Sequence, residues 1–374
     1  MHTYIPVCEP YLNGNELKYV DDCIKSGWIS SSGKYVDNFE SKFAEYCGSK
    51  YAVTVCNGTV ALHLALTAIG INEGDEVIIH NFTMIASAFA VCYCNAIPVF
   101  VDAEKDSWNL DVNKIEQAIT LKTKAIMAVS IFGHPCDMDA INIIAKKYNL
   151  SVIEDAAESH GAEYKGVKSG NLADITAFSF FANKNLTTGE GGMIVTNNEY
   201  LYNQCKYYKN LCFPIIGPRI YIHNDIGYNY RMSNIHAAIG LAQVEKAEFY
   251  KNLRIKNANL YKFYLEGIPG INMQIDKDNI LNVHWMNCIL VNQNEYGKSK
   301  LELQKYLLDN GVETRNLFTG MNKQPSLKKY GCKCDGDYEV TNWLTESGFY
   351  LPSASNLAEK KIEMISKLIK KFKK

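Results

Sequence analysis

Several familiar chemical signatures are missing from these 374 residues. There is no G-x-x-x-x-G-K-[ST] loop, no G-x-G-x-x-G opening a helix after a strand, and no H-E-x-x-H. A nucleoside triphosphatase, a nicotinamide dehydrogenase of the usual kind and a zinc hydrolase lose their main support. Charge of one sign is lacking too: 39 Lys+Arg against 40 Asp+Glu leave a net charge of -1. No basic field is available for a nucleic acid or an anionic membrane. No long apolar run exists. The most apolar stretch, 52–71, is broken by Asn57, Gly58, Thr59 and His63, whereas a membrane span needs ~20 mostly apolar residues. The first residues, MHTYIPVCEP, carry neither a basic start nor an apolar core, which predicts a cytoplasmic protein without a secretory signal. Twelve cysteines contain no C-x-x-C, and the C-x-C pairs Cys92/Cys94 and Cys332/Cys334 have no partner at zinc spacing. They read as reduced thiols, with no metal site expected.

What is present is the composition of a globular chain, 47% hydrophobic and 21% charged, of a length for two domains or one large one with an appendage. Between residues 51 and 195 short β-branched runs alternate with helical patterns. Strands are expected over 52–55, 77–79, 99–101, 125–130 and 150–154, with helices over 60–69, 85–93 and 138–148. This rhythm predicts an α/β fold with a mostly parallel sheet covered by helices on both faces. Two further strands, 175–181 and 192–196, flank a polar Gly-rich turn. Beyond residue 244 the texture changes to a long Lys- and Asn-rich helix over 245–264, a strand over 285–291, and helices over 298–310 and 359–373. The expected division is a large domain, 1–245, with an N-terminal arm, and a smaller α+β domain, 246–374.

Three motifs carry chemistry. Cys56-Asn57-Gly58-Thr59 lies at a strand-to-helix junction, where unpaired helix N–H groups suit a phosphate; an ordinary turn with a Thr cap would look the same. Asp155 closes an apolar strand, where open α/β sheets place ligand groups. A carboxylate there can pair with a protonated ring nitrogen, or simply cap a helix. Lys184 follows an aromatic strand and precedes a Gly-rich turn. A lysine among apolar neighbours can lose its proton and form a Schiff base, although most single lysines are surface residues. In this order on an α/β scaffold, the three supply an anion site, a pyridinium partner and a carbonyl-binding amine. Those are the requirements of a pyridoxal phosphate site.

Over nearly its full length the chain resembles the DegT/DnrJ/StrS sugar aminotransferases of fold type I. The residues that carry the resemblance are Asn57-Gly58-Thr59-Val60-Ala61-Leu62, Gly133-His134-Pro135, Glu154-Asp155-Ala156-Ala157-Glu158, Phe178-Ser179-Phe180-Phe181, Lys184, the stretch 187–192, and Gly227-Tyr228-Asn229-Tyr230-Arg231-Met232. Near the start, Ile5-Pro6, Pro10, Gly14, Glu16 and Gly27-Trp28-Ile29-Ser30-Ser31 add to it. The resemblance implies pyridoxal 5'-phosphate bound covalently to Lys184, with Asp155 at the ring nitrogen and Glu158 near the ring hydroxyl. It assigns the phosphate to Gly58, Thr59 and Ser179. Asn229 matches a residue that reaches the phosphate of the neighbouring subunit, which implies a homodimer with shared sites. Arg231 either binds a carboxylate or braces the loop. Lys184 also separates the chain from related dehydratases, which have His there.

Two departures stand out. Relatives usually carry an aromatic residue at Met84, stacked on the ring; a sulfur–π contact is a substitute, or Phe82 takes over. In the acceptor half, relatives tend to show His-x-Tyr near Asn282-Val283-His284 and Tyr-Pro-x-His near Thr319-Gly320-Met321-Asn322, while Arg315 remains. Candidate acceptor residues are Trp28, Ser30, His223, Arg231, His284 and Arg315. The expected activity is amino transfer, with L-glutamate as donor, to a nucleotide-linked 4-keto-6-deoxy sugar of a surface polysaccharide. A small phosphorylated ketone such as a triose phosphate is the alternative acceptor. A non-catalytic regulatory protein that binds the cofactor is the alternative of another class.

Overall fold

The computed structural model describes residues 4–373. Seven strands form the main sheet: β1 Tyr51–Val55, β2 Glu76–His80, β3 Ile97–Val101, β4 Thr123–Val129, β5 Ser151–Asp155, β6 Ile175–Ser179 and β7 Gly192–Thr196. Their order is β1-β7-β6-β5-β4-β2-β3. The neighbours from β6 through β3 run parallel, and β7 alone runs against its two neighbours. The sheet is therefore mostly parallel and mixed.

Near-continuous apolar strands match burial on both faces. Along β2, Val77 and Ile79 join the cluster under helices α3 (Gly58–Ala68) and α4 (Ala86–Tyr93), while Ile78 joins the opposite cluster with Ile126 and Val152. Helix α5 covers that second cluster and runs over Met138–Tyr148. Asp137 accepts from Ala140 N–H at its start, and Asn149 ends it in the left-handed conformation, so local chemistry sets both ends. Two N-terminal helices, α1 (Glu16–Ser26) and α2 (Lys34–Cys47), were not apparent in the sequence pattern. The second lays Phe39 and Phe43 against Phe178 and Phe180.

Helix α6 (Asn234–Val244) leads into α7 (Ala247–Leu265). Beyond them a four-stranded antiparallel sheet has its own core, with Ile289, Leu303, Phe349 and Ile365 buried together. Two connections cross between the halves. Ile5, from the N-terminal arm, bridges Val312, and Ile280–Leu281 pairs with Glu163–Tyr164. Another cluster joins Phe82, Val129 and Phe132 to Trp285, Leu317 and Tyr350. No helix among the described residues is long and apolar enough to cross a membrane.

Asp102, after β3, is a buried polar tie between the halves. Its carboxylate accepts from Val340 N–H at 3.1 Å, Thr341 N–H at 2.9 Å and Thr341 Oγ1 at 2.6 Å. These groups open the helix Glu339–Ser347. Burial pushes its pKa up, but the hydrogen bonds outweigh burial and hold it below the usual carboxylate value. Removing the acceptor orphans buried donors, so Asp102→Ala is expected to lower unfolding stability by about 3 kcal/mol in urea titrations. Because the folded pKa is depressed, the stabilisation is full above the unfolded value of about 4 and fades as pH falls through the folded pKa. Wild type and variant therefore converge in acid.

Candidate active site

At the carboxyl ends of the parallel strands lies a cavity of about 610 Å³. Seven of the residues singled out in the sequence line it: Gly58, Thr59, Met84, Asp155, Glu158, Ser179 and Lys184.

The anion end is built by α3. Asn57 is extended and its side chain accepts from Val60 N–H at 3.0 Å. The N–H groups of Gly58 and Thr59, before it in the first turn, have no intrahelical acceptor, and both residues line the cavity. A Cβ on Gly58 would lie 2.7 Å from Ser179 Cβ, so only glycine lets the helix start close on the end of β6. Gly192 of β7 is confined likewise, since a Cβ there would collide with the Asn57 carbonyl oxygen. The result is a narrow cradle of helix N–H groups and the Thr59 and Ser179 hydroxyls, suited to a phosphate.

The opposite end is acidic. Asp155 ends β5, with Oδ2 accepting from Ser87 Oγ at 2.8 Å and Oδ1 from Ala157 N–H at 3.2 Å. Burial raises its pKa, opposed by Ser87, Ala157 and the nearby Lys184 charge. Glu158 is buried, and Oε2 accepts from Phe132 N–H at 2.7 Å. Burial pushes its pKa up to about 7 against the pull of Lys184.

Lys184 follows a tight turn in which its N–H bonds Phe181 O at 2.9 Å. Its Nζ stands 3.9 Å from Glu158 Oε1 and 3.6 Å from the centroid of the Trp285 ring. Burial lowers its pKa, and Glu158 and Asp155 oppose the shift. The site thus holds an amine disposed to lose a proton beside carboxylates disposed to keep one.

The remaining sequence candidates stand outside this cavity. Asn229 and Arg231 meet on another face, where Arg231 Nε donates to Asn229 Oδ1 at 2.9 Å and Nη1 to Asn210 Oδ1 at 3.2 Å; Arg231 braces the loop here. The Trp28 and Ser30 carbonyls accept from Asn234, and the Trp28 ring is exposed. His223 is exposed, its Nδ1 2.6 Å from Leu211 O. His284 is turned toward Asp276 at 3.6 Å, and burial lowers its pKa to about 4. Arg315 is exposed and pairs with Glu313 at 3.2 Å. Met84 lines the cavity with its sulfur accepting from Ala86 N–H at 3.1 Å, whereas Phe82 is buried between Phe132 and Phe318 and does not line it.

The sequence reading missed Ser87, Asn183, Trp285, Phe318 and Tyr350, all at the cavity wall. Ser87 sits in an apolar helix and reads as a filler. Trp285 follows His284, and the displaced His-x-Tyr pattern was the one signal that this segment reaches the site. Gly58→Ala is expected to weaken phosphate-bearing ligands roughly tenfold or more, because overpacking costs about 1–3 kcal/mol and 1.4 kcal/mol is a factor of ten. Calorimetric titration of the cofactor-free protein checks this.

Comparison with known proteins agrees with the site. Residues 10–370 match the model of the DegT/DnrJ/EryC1/StrS aminotransferase family. The chain is 45% identical to a GDP-perosamine synthase of Escherichia coli O157:H7 over 99% of this chain and 98% of the relative. It is 40% identical to one of Vibrio cholerae, covering 98% of this chain and 99% of the relative. The crystal structure of DesI with its TDP-sugar product superposes with a TM-score of 0.90 at 26% identity, covering 99% of this chain and 93% of that one. The resemblance seen in the sequence is thereby established, and with it fold type I. The residues present fit the cofactor of such enzymes: a phosphate cradle that a side chain at position 58 would fill, a buried carboxylate and a buried amine line one cavity. The chain belongs to the DegT/DnrJ/EryC1/StrS aminotransferase family and is a pyridoxal phosphate-dependent aminotransferase.

Proposed function

We propose that this enzyme moves an amino group from L-glutamate to a nucleotide-linked 4-keto-6-deoxy sugar, for a surface polysaccharide. The observation that carries the reading is the cavity in which Lys184 and Asp155 meet below a phosphate cradle. The full-length likeness to GDP-perosamine synthases supports the acceptor class. Pyridoxal phosphate supplies an electron sink for the bond broken next to the transferred nitrogen. Gly58, Thr59 and Ser179 would hold its phosphate, Asp155 its ring nitrogen, and Met84 and Glu158 the ring and its hydroxyl.

Asp155 needs to be ionised for this task. Burial alone opposes that, and Asp155 would be held ionised by pairing with a protonated ring nitrogen. Ser87 and Ala157 N–H keep the carboxylate aimed while it does so. Lys184, whose proton is loosened by burial, serves as base and acid at its Nζ. Glu158, near neutrality, can hold the proton that Lys184 gives up.

We also propose a homodimer with shared sites, which would bring Asn229 and Arg231 to the partner's cavity. Exposed Ile216, Tyr221, Ile222 and Ile226, just before them, support a covered face there. The division into domains 1–245 and 246–374 is supported by the separate sheets and cores. A cytoplasmic setting suits twelve unpaired cysteines.

The decisive experiment loads the enzyme with the amine form of the cofactor. Nucleotide-linked 4-keto-6-deoxy sugars should restore the aldehyde absorbance, and restoration by triose phosphates alone would discard the acceptor class. Borohydride should fix the cofactor on Lys184 in wild type. Lys184→Ala should lose both half-reactions; glutamate-driven conversion persisting in that variant would remove Lys184 as the base. Mixing Lys184→Ala subunits with Asn229→Ala subunits should recover activity, and no recovery counts against shared sites.

A further inference from the structure

Arg254 lies on α7 and is only 2% exposed. No carboxylate pairs with it among the described residues. An isolated buried cation is costly unless its donors are all used, and here they are spread over several segments. Nε donates to Ser355 Oγ at 2.9 Å, Nη1 to Trp285 O at 3.0 Å and also to Ser353 O, and Nη2 to Cys8 Sγ at 3.4 Å.

Trp285 is held at every polar group it has. Its carbonyl takes the Arg254 bond, its N–H donates to Phe132 O at 2.8 Å, and its indole N–H donates to Asn183 O at 2.9 Å. The ring thus bonds the residue next to Lys184 while covering the Lys184 amine at 3.6 Å. Phe132, the acceptor of the Trp285 N–H, donates its own N–H to Glu158. Phe132 has a left-handed backbone, φ 54 and ψ 18, a conformation held against its preference, and its ring stacks on Phe318 and Trp285. One rigid unit therefore touches both groups that exchange the proton.

We propose that Arg254 is a positioning residue that fixes the Trp285 indole over the Lys184 amine, and that Trp285 acts there as a cation-stabilising wall. A cation over an indole face is favoured, so the ring opposes the burial that draws the proton off Lys184. A planar fork suits acceptors that lie apart, and a lysine ammonium on a flexible stem does not replace it. The proposal rests on the assignment of Lys184 as the amine of the reaction, but the bond between Arg254 and Trp285 does not.

The test labels the protein with 5-fluorotryptophan. Its four tryptophans give four fluorine resonances, and Trp285→Phe assigns one of them. In cofactor-free protein, Arg254→Met and Arg254→Lys are expected to shift the Trp285 resonance and leave the other three in place. Ser355→Ala, which removes one bond and keeps the charge, is expected to shift it less and serves if the Arg254 variants do not fold. In the loaded enzyme, the midpoint of the pH-dependent cofactor absorbance should fall by roughly half a unit in Trp285→Phe and in Arg254→Lys alike. An unmoved Trp285 resonance in the variants that fold, or its restoration by Arg254→Lys, would overturn the positioning role. A moved resonance with an unmoved midpoint would overturn the effect on Lys184. Failure of borohydride to fix the cofactor at Lys184 is a separate result, and it would strike the underlying assignment while leaving the fluorine readout intact.

Discussion

An amine and two carboxylates are buried together along one cavity, and desolvation sets the terms for all three. Burial favours the neutral form of each: it lowers the pKa of Lys184 and raises those of Asp155 and Glu158. Their mutual attraction works the other way. The balance leaves the proton weakly held on the amine, which is what a group that must both take and give a proton requires. Exposed to water, the same residues would be a fixed ammonium and two fixed carboxylates. Much of the architecture can be understood as the means of keeping them dry and close.

The sheet supplies the closeness. Asp155 and Ser179 end adjacent parallel strands, β5 and β6, and Asn57 and Gly58 follow β1 two places further along. Two glycines permit the approach: side chains at 58 or 192 would collide with Ser179 or with the Asn57 carbonyl. The antiparallel β7 is what seats Gly192 beneath the start of α3. The smaller sheet supplies the dryness. Trp285, Phe318 and Tyr350 close the cavity from that side. Asp102, a buried charge, ties the two halves through the start of the helix Glu339–Ser347, while Arg254 joins segments of the smaller half and reaches the N-terminal arm at Cys8.

Legibility in the sequence followed the range of the interactions. Helix α5 was read to its ends because Asp137 and Asn149 act within a turn of it. The strands of the main sheet were legible within a few residues, since burial on both faces makes them continuously apolar. β6 stops at Ser179, two residues earlier than its aromatic pattern suggested, because Phe180 N–H turns to Gly191 O. The helices 16–26 and 34–47 were not apparent: they mix charge, glycine neighbours and aromatic residues, and their apolar faces make sense only against the sheet they cover. In the site, Lys184, Asp155 and the phosphate turn were legible because each stands at the end of a recognisable strand. Trp285, Ser87 and Arg254 were not, because their roles depend on contacts across 68 to more than 100 positions, as between Ser87 and Asp155 or Arg254 and Ser355.

The same distinction explains the acceptor half. His284 and Arg315 attracted attention as polar residues in a region that departs from the family pattern, yet His284 turns toward Asp276 and Arg315 toward Glu313. Trp285, one position on, takes the wall of the cavity. The backbone of His284 is left-handed, φ 46, and bends between the two residues, so that Trp285 lines the cavity while His284 does not. One residue of displacement therefore exchanges a polar group for an indole at the cavity surface. Such a wall can pack against the apolar face of a deoxy sugar and cannot bind a phosphate by charge. The departure from the family motif is thus a change in the surface offered to an acceptor, and it argues for a sugar ring rather than a small phosphorylated ketone.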